Sequence, residues 1–341
     1  MDFSALSEKV TIKHLPSLSP LPFNPSLHSL NRARLSAALR GLGCPTGSVV
    51  LLAGGASETR HETDHEPLFR QESFFHWAFG VKEPDFYGAV SVDSGEGTLF
   101  APHLPPSYAV VMGRIKGNEE WKKLYGVDGV HYVDDLASTL SSMVGSKGTL
   151  YVLHGLNTDS QNYSKPANFP GMEDFRVDKE ALWPIITELR VHKTPAEIDV
   201  LRYVGEVSSE AHIAVMQAVC EGMIEYQLES LFSHWCYFYG GCRHNSYTCI
   251  CASGINSSVL HYGHAGEPNS RRLKKEDMCL FDMGGEYACY GADITTSFPV
   301  SGKFSPAQRI IYEAVLAAVY AVEDAIAPGV NWLDMHTLSY R

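Results

Sequence analysis

Apolar residues at helical spacing alternate with short continuous apolar runs along the first half of the chain. The first periodic set is Leu35, Ala38, Leu39 and Leu42, and Gly43 follows it. Because glycine readily takes the left-handed conformation that ends helices, this set predicts a helix that stops at Gly43. The next run, residues 48–53 (SVVLLA), is uninterrupted and short, which is typical of a buried strand.

The same half contains further strand and helix patterns. Strands are predicted over residues 74–79, 88–92, 98–101 and 149–153, and a helix is predicted over residues 135–144. Strands that alternate with helices in this way favour a sheet covered by helices. The first half is therefore predicted to be an α/β domain.

Two long amphipathic helices frame the second half. The first begins at the capping box of Thr194 and Glu197, has Pro195 at its first helical position, and is predicted to end near Gly222. The second begins at the capping box Ser305–Gln308. Strands are predicted between them over residues 247–252, 278–282 and 294–298, and another helix begins at residue 332. These patterns predict an α+β domain.

The sequence predicts a domain boundary within residues 184–194, where Pro184 interrupts one pattern and the Thr194 capping box begins the next. We therefore divide the chain into an N-terminal domain of residues 1–188 and a second domain of residues 189–341. The last predicted helix has run for only about two turns when the sequence stops. We expect the sequence to be C-terminally truncated.

Charge and hydropathy exclude two classes of partner. The 341 residues include 27 Lys and Arg against 39 Asp and Glu, a net charge of −12. This balance argues against nucleic-acid binding, which needs a basic face, and the densest basic tract, Arg271–Lys275, is expected to be a solvated turn. No stretch approaches the roughly 18 apolar residues of a membrane span, and residues 1–22 lack a secretory leader. We expect a soluble cytoplasmic protein without nucleic-acid or membrane partners.

Eight cysteines are too few for a disulfide scaffold. Cys249 and Cys251 point to one side of a predicted strand, but no second Cys or His pair follows them at the spacing of a zinc site. The cysteines are expected to be structural free thiols.

Asp282 and Asp293 are the first candidates for chemistry. Asp282 lies inside an apolar strand, where an unpaired carboxylate would lose several kcal/mol of hydration. If residues 278–282 and 294–298 form neighbouring antiparallel strands, both carboxylates point to one face and a cation between them relieves their repulsion. Hard ions such as Mn²⁺, Mg²⁺ or Ca²⁺ suit such oxygens. The alternative is that Asp282 bonds backbone amides and Asp293 caps a turn.

His261 and His264 form the second constellation, in the segment HYGH beside Gly263 and Gly266. These glycines would let a ligand approach the backbone closely. The alternative is a pair of structural histidines. P-loop, G-x-S-x-G and G-x-G-x-x-G patterns do not occur, and hydrolysis by a metal-bound water is the enzymatic scheme that the residues favour.

Several long blocks resemble the Xaa-Pro dipeptidase (prolidase) family of metallopeptidases, and the similarity runs from about residue 25 to the C-terminus. The blocks are RQESFFHWAFGV (70–81), LRVHKTPAEIDVLRY (189–203), YTCICASGINSSVLHYGHAGEPN (247–269) and MCLFDMGGEYACYGADITTSFPVSGKF (278–304). This resemblance implies an aminopeptidase-P-like N-terminal domain and a pita-bread metallopeptidase domain with a dinuclear, usually manganese, centre. By the same resemblance, Asp282 matches a ligand of one metal, Asp293 the bridging ligand, and His261 a substrate-pocket histidine near the scissile bond.

The sequence departs from the family in its other metal ligands. The family uses one further His and two Glu, but after Asp293 the chain contains only His336, Glu313 and Glu323, and both Glu lie on the helix that Ser305 begins, where we expect them to face solvent. Three of five ligands are then absent. We expect a partial pita-bread domain that binds at most one Mn²⁺, weakly.

The resemblance also implies a homodimer that hydrolyses Xaa-Pro dipeptides with a metal-activated hydroxide. Without the rest of its domain, the chain is expected to expose an apolar patch centred near Phe281, Ile294 and Phe298. The alternative function is a catalytically inactive pita-bread module that binds a partner or dimerises.

Overall fold

The computed structural model describes residues 20–264 and 267–341. They form two compact units, Pro22–Asp199 and Val200–Arg341, and Pro20 and Leu21 join the second unit. The sequence-based boundary between residues 188 and 189 stays a prediction.

The first unit is built on a six-stranded sheet of order β4-β3-β2-β1-β5-β6, in which only β2 runs antiparallel to its neighbours. Its strands are β1 (Val49–Ala53), β2 (Tyr87–Ser91), β3 (Gly97–Ala101), β4 (Gly129–Tyr132), β5 (Leu150–Val152) and β6 (Val177–Asp178). Its helices are α1 (Pro25–Gly41), α2 (Ser73–Phe79), α3 (Tyr108–Met112), α4 (Asn118–Tyr125), α5 (Leu136–Met143) and α6 (Leu182–Val191). The α/β prediction is confirmed, including the buried strand in residues 48–53.

One strand prediction in this unit is wrong. Residues 74–79 lie in helix α2, whose N-terminus is capped because the Glu72 carboxylate accepts a hydrogen bond from Phe75 N at 2.7 Å. Gly80 ends the helix with a φ of 70°. An aromatic run fits a strand or a buried helix equally well, and here the two caps decide for the helix.

The second unit contains two three-stranded antiparallel sheets, of order β11-β10-β7 and β12-β9-β8. The strands are β7 (His244–Asn245), β8 (Ile250–Ser253), β9 (Met278–Met283), β10 (Gly285–Tyr287), β11 (Tyr290–Gly291) and β12 (Ile294–Pro299). The helices are α7 (Pro195–Ala218), which begins in the first unit, α8 (Glu225–Gly240), α9 (Pro306–Ala325) and α10 (Trp332–Leu338).

Both predicted capping boxes form. Thr194 N donates to Glu197 Oε2 at 2.7 Å, and Ser305 N donates to Gln308 Oε1 at 2.8 Å. Helix α7 ends at Ala218, slightly before the predicted Gly222. Its apolar face packs into a core that contains Val204, Val207, Ala211, Phe232 and Phe281. The helix therefore covers one face of the β12-β9-β8 sheet.

The predicted position of the apolar patch is wrong. Phe281 and Phe298 are buried because helices α7 and α8 contribute to the core that contains them. The exposed apolar residues lie instead on α9, where Ile310 and Ile311 are 68% and 67% exposed. A groove of about 950 Å³ separates α9 from strands β9 and β12.

The basic tract Arg271–Lys275 is only in part the solvated turn that the sequence predicts. Arg271 Nη1 lies 2.6 Å from Asp277 Oδ2 and donates to Ser253 Oγ at 2.8 Å. The hydrogen bond to Ser253 ties the tract to the end of strand β8, and the ion pair with Asp277 holds the Arg271 side chain in place. Among the described residues, no helix has both the length and the apolar character needed to cross a membrane.

Candidate metal centre

Strands β9 and β12 place Asp282 and Asp293 on one face. The strands are antiparallel neighbours, as expected, with Thr295 opposite Asp282 and Ile294 opposite Met283. Side chains alternate between the faces of a strand, so Asp293, two residues before Thr295, projects to the same side as Asp282. Asp282 is half-buried and Asp293 is exposed, so solvent reaches both carboxylates.

A tyrosine that sequence reasoning missed joins the two carboxylates. The Tyr247 hydroxyl donates to Asp282 Oδ1. The hydroxyl oxygen of Tyr247 also lies 3.2 Å from Asp293 Oδ1. Burial and the adjacent carboxylates raise the pKa of Tyr247, so this hydroxyl keeps its proton and remains a donor. The sequence left open whether backbone amides compensate the charge of Asp282. In the structure the hydroxyl of Tyr247 donates to this half-buried carboxylate.

Ser246 fixes the position of Tyr247. Its backbone N donates to Gly284 O at 2.8 Å, and its Oγ donates to Gly285 O at 2.7 Å. Gly284 has no room for a side chain, because a Cβ there would overlap the carbonyl oxygen of Ala292. Gly284 thus allows the backbone just after Asp282 to approach the backbone just before Asp293, while the carbonyls of Gly284 and Gly285 hold Ser246 beside Tyr247.

Two carboxylates and one hydroxyl offer hard oxygen donors, which fit Mn²⁺, Mg²⁺ or Ca²⁺ better than a soft metal. Within the described residues, no group of three or more His, Cys, Asp or Glu side chains is placed to hold a metal ion. Asp282 and Asp293 supply at most four oxygens, which is a fraction of what two six-coordinate ions need. The pair therefore fits part of a divalent-metal site.

The structure keeps His261 outside this pair. It is exposed, and its backbone O accepts from His264 N at 3.0 Å in the turn Tyr262–His264. The ring of His261 contacts that of His264, with centroids 6.3 Å apart. Beside it, the hydroxyl of buried Tyr262 donates to Glu225 Oε2 at 2.7 Å, which anchors the turn. A substrate role for His261 stays a prediction.

The other acidic and histidine candidates lie away from the pair. Glu313 and Glu323 are exposed on α9, as expected, and Glu313 Oε1 accepts from Arg309 at 2.6 Å. His336 on α10 pairs with the Tyr340 hydroxyl at 2.8 Å. The cysteines are free, and burial raises the pKa of the Cys249 thiol to about 12, which leaves it a poor nucleophile at neutral pH.

Two family models match the chain. Residues 199–341 match metallopeptidase family M24, and residues 28–151 match the aminopeptidase P N-terminal domain. The first match contains Asp282, Asp293 and Tyr247. The second covers strands β1 to β4 and part of β5.

Similar proteins include the human Xaa-Pro dipeptidase, which is 55% identical over 93% of this chain and 64% of its own length. A probable Xaa-Pro aminopeptidase of Talaromyces marneffei is 34% identical over 90% of this chain and 65% of its own length. The chain thus spans somewhat less than two thirds of these relatives.

Solved structures with the same fold include the Pseudomonas aeruginosa aminopeptidase PepP, with a TM-score of 0.78 and 28% identity over 94% of this chain and 72% of that one. A zinc-substituted Escherichia coli aminopeptidase P in complex with product has a TM-score of 0.77 and 26% identity, over 94% of this chain and 72% of that one.

Proposed function

The chain combines an aminopeptidase P N-terminal domain with a domain of metallopeptidase family M24, and on this premise we propose that it belongs to a prolidase-type peptidase that hydrolyses Xaa-Pro dipeptides. The predicted fold class, an α/β domain followed by an α+β pita-bread domain, is confirmed. The observation that carries the proposal is the carboxylate pair of Asp282 and Asp293 around the Tyr247 hydroxyl. Similarity to the human Xaa-Pro dipeptidase supports the substrate class.

Each residue of the pair receives a role. Asp282 would hold one divalent ion and Asp293 would bridge two, and Mn²⁺ is the ion we propose. When bound, such ions lower the pKa of a water molecule and polarise the scissile carbonyl. Tyr247 orients both carboxylates, and His261 would contact the substrate beside the scissile bond.

We further propose that the 341 residues by themselves hold at most one ion, weakly. Two carboxylates leave most positions of a six-coordinate ion to water. Placing the water for attack on a peptide bond needs more ligands than this pair supplies, and poor placement alone costs several kcal/mol of barrier. Activity then depends on ligands outside the described carboxylate pair.

We also propose a homodimer in the cytoplasm. Ile310 and Ile311 on α9 are exposed, and patches of exposed apolar residues often mark protein–protein interfaces. These residues therefore support the proposal that α9 lies in a dimer interface. Size-exclusion chromatography with light scattering measures the state directly, and a monomer at all concentrations would contradict the dimer.

A catalytically inactive module that binds a partner is the second candidate. The absence of a third ligating side chain around the pair, within the described residues, favours it. The two functions differ in one experiment. Gly-Pro hydrolysis is measured for the 341-residue chain, and for the same chain extended with the part of the human relative that lies beyond the matched region.

The peptidase proposal expects no hydrolysis above background by the 341-residue chain and Mn²⁺-dependent hydrolysis by the extended chain. Asp293→Asn in the extended chain should abolish that hydrolysis, whereas Glu323→Gln on exposed α9 should leave it unchanged. An extended chain that folds but never cleaves Gly-Pro would favour the inactive module.

A further inference from the structure

Buried His212 lies on helix α7, behind the strands that carry the carboxylates. It is 2% exposed, its Nε2 is 3.0 Å from Met283 O, and its Nδ1 is 3.1 Å from Thr296 Oγ1. A carbonyl oxygen only accepts, so Nε2 carries the proton and Nδ1 accepts from the Thr296 hydroxyl. Burial lowers the pKa of His212, which keeps the ring neutral and preserves this pattern of one donor and one acceptor.

The two partners of His212 belong to the two strands of the site. Met283 directly follows Asp282 in β9, and Thr296 lies in β12 opposite Phe281. Because side chains alternate, Thr296 faces α7 while Asp282 and Thr295 face the other side. His212 therefore joins β9 to β12 from the face opposite the carboxylates.

The position of Asp293 makes this link important. Asp293 precedes the first residue of β12, and the last ladder pair beside it joins Ile294 to Met283. Strand pairs separate most easily at the end of a ladder. His212 bonds Met283 in that last pair, so it restrains the strands where their separation determines the distance between the two carboxylates.

A second side chain of α7 holds the next residues of the same segment. Ser208, one helical turn before His212, accepts a hydrogen bond from Gly285 N at 3.0 Å. Residues four apart lie on one face of a helix. Together Ser208 and His212 hold the segment Met283–Gly285, to which Ser246 also binds.

We propose that His212 is a positioning residue of the metal centre, which holds β9 and β12 at the separation where Asp282 and Asp293 share one cation. The proposal rests on the metal centre of the proposed function. Groups behind metal ligands commonly change affinity by roughly 10- to 100-fold when they are removed. We expect an effect of roughly 10-fold here, because the strand ladder itself remains.

Thr296 gives the sharpest test. Thr296→Val removes the hydroxyl that His212 accepts from and keeps the shape of the side chain, whereas Thr296→Ser keeps the hydroxyl. Binding of Tb³⁺ by the 341-residue chain is followed by tyrosine-sensitised luminescence, with Mn²⁺ as the competitor. Thr296→Val should lower the affinity for both Tb³⁺ and Mn²⁺ by roughly 10-fold. Thr296→Ser should bind both ions as tightly as the unaltered chain does.

The matched control is Thr187→Val. The Thr187 hydroxyl also makes a partly buried hydrogen bond, to Trp183 O at 2.7 Å, but within helix α6 of the first unit. Its loss should lower thermal stability without changing metal affinity. His212→Leu should behave like Thr296→Val, and His212→Gln, which retains a donor and an acceptor, should recover part of the affinity.

The outcomes separate the two proposals. If Thr296→Val and a folded His212→Leu bind Tb³⁺ and Mn²⁺ as tightly as the unaltered chain does, the positioning role is overturned. The metal centre itself then remains. Unchanged binding in Asp293→Asn would overturn the metal centre itself, and the positioning role with it. If His212→Leu does not fold by circular dichroism, the Thr296 pair decides.

Discussion

Asp282 and Asp293 each place one carboxylate oxygen within hydrogen-bond reach of a single hydroxyl, that of Tyr247. Two anions this close repel each other unless a donor or a cation lies between them. Tyr247 is the donor, and Ser246 holds it there through Gly284 and Gly285. We propose that the same two carboxylates are the first two ligands of a divalent ion.

The first prediction concerns metal stoichiometry. We expect the 341-residue chain to bind at most one Mn²⁺, with a Kd on the order of 10⁻³ M, because the pair leaves most ligand positions to water. Asp293→Asn should remove this binding, which the electron paramagnetic resonance signal of free Mn²⁺ measures. Glu313→Gln on α9 is the control of equal charge change. Tight binding of two ions would show that other ligands exist.

The second prediction concerns the Tyr247 hydroxyl. Tyr247→Phe leaves the two carboxylates without their common donor, and a hydrogen bond to a charged group contributes roughly 1.5–3 kcal/mol when buried. Because Asp293 is exposed, we expect a loss at the lower end of this range, about 1.5 kcal/mol of unfolding free energy.

Urea unfolding in metal-free buffer measures that loss. Tyr163→Phe removes a hydroxyl from an exposed ring stacked on His154, and it should change the midpoint little. If Tyr247→Phe is as stable as the unaltered chain, the hydroxyl does not compensate the carboxylates.

The third prediction compares two glycines. In Gly284→Ala the new methyl group overlaps the carbonyl oxygen of Ala292, a backbone atom that cannot rotate away. We expect a loss of roughly 1–3 kcal/mol of unfolding free energy and weaker Mn²⁺ binding, since Gly284 lies two residues after Asp282 and Ala292 directly precedes Asp293. Gly41→Ala, at the end of α1, has open space around its new methyl group and should be neutral or slightly stabilising.

The sequence was sufficient to predict the carboxylate pair because its cause is local. Asp282 lies in apolar strand β9, and β12 begins directly after Asp293. Only the Gly-rich segment with the two short strands β10 and β11 lies between them, so antiparallel pairing of β9 and β12 needs no long connection. The two capping boxes are equally local, since each joins residues three apart.

The sequence could not reveal Tyr247 or His212, because each partnership joins distant segments. Tyr247 is 35 residues from Asp282, and His212 is 71 residues from Met283. The strand pattern over residues 247–252 even placed Tyr247 inside a strand, whereas β8 begins at Ile250. That offset leaves Tyr247 free of the ladder and able to reach the site.

The last prediction concerns acid sensitivity of the first unit, where His28 and His76 meet edge to face with ring centroids 5.3 Å apart. Burial lowers the pKa of His28 to about 4 and that of His76 to about 3, from an ordinary value near 6.5. Between these values and 6.5 the unfolded chain binds protons that the folded chain does not. Stability is therefore complete above pH 6.5 and falls as the pH drops toward 4, by about 1.4 kcal/mol per pH unit for each histidine.

Urea midpoints at intervals from pH 7 to pH 5 measure this slope. His76→Leu removes one of the two groups, so the slope should become shallower by about 1.4 kcal/mol per pH unit. At pH 7 the variant should be no less stable, because His76 Nδ1 is buried without a hydrogen-bond partner in the described structure. His61→Gln, in an exposed loop, is the control and should keep the original slope. A slope that His76→Leu does not change would mean that the ring of His76 takes up its proton in the folded chain as readily as in the unfolded one.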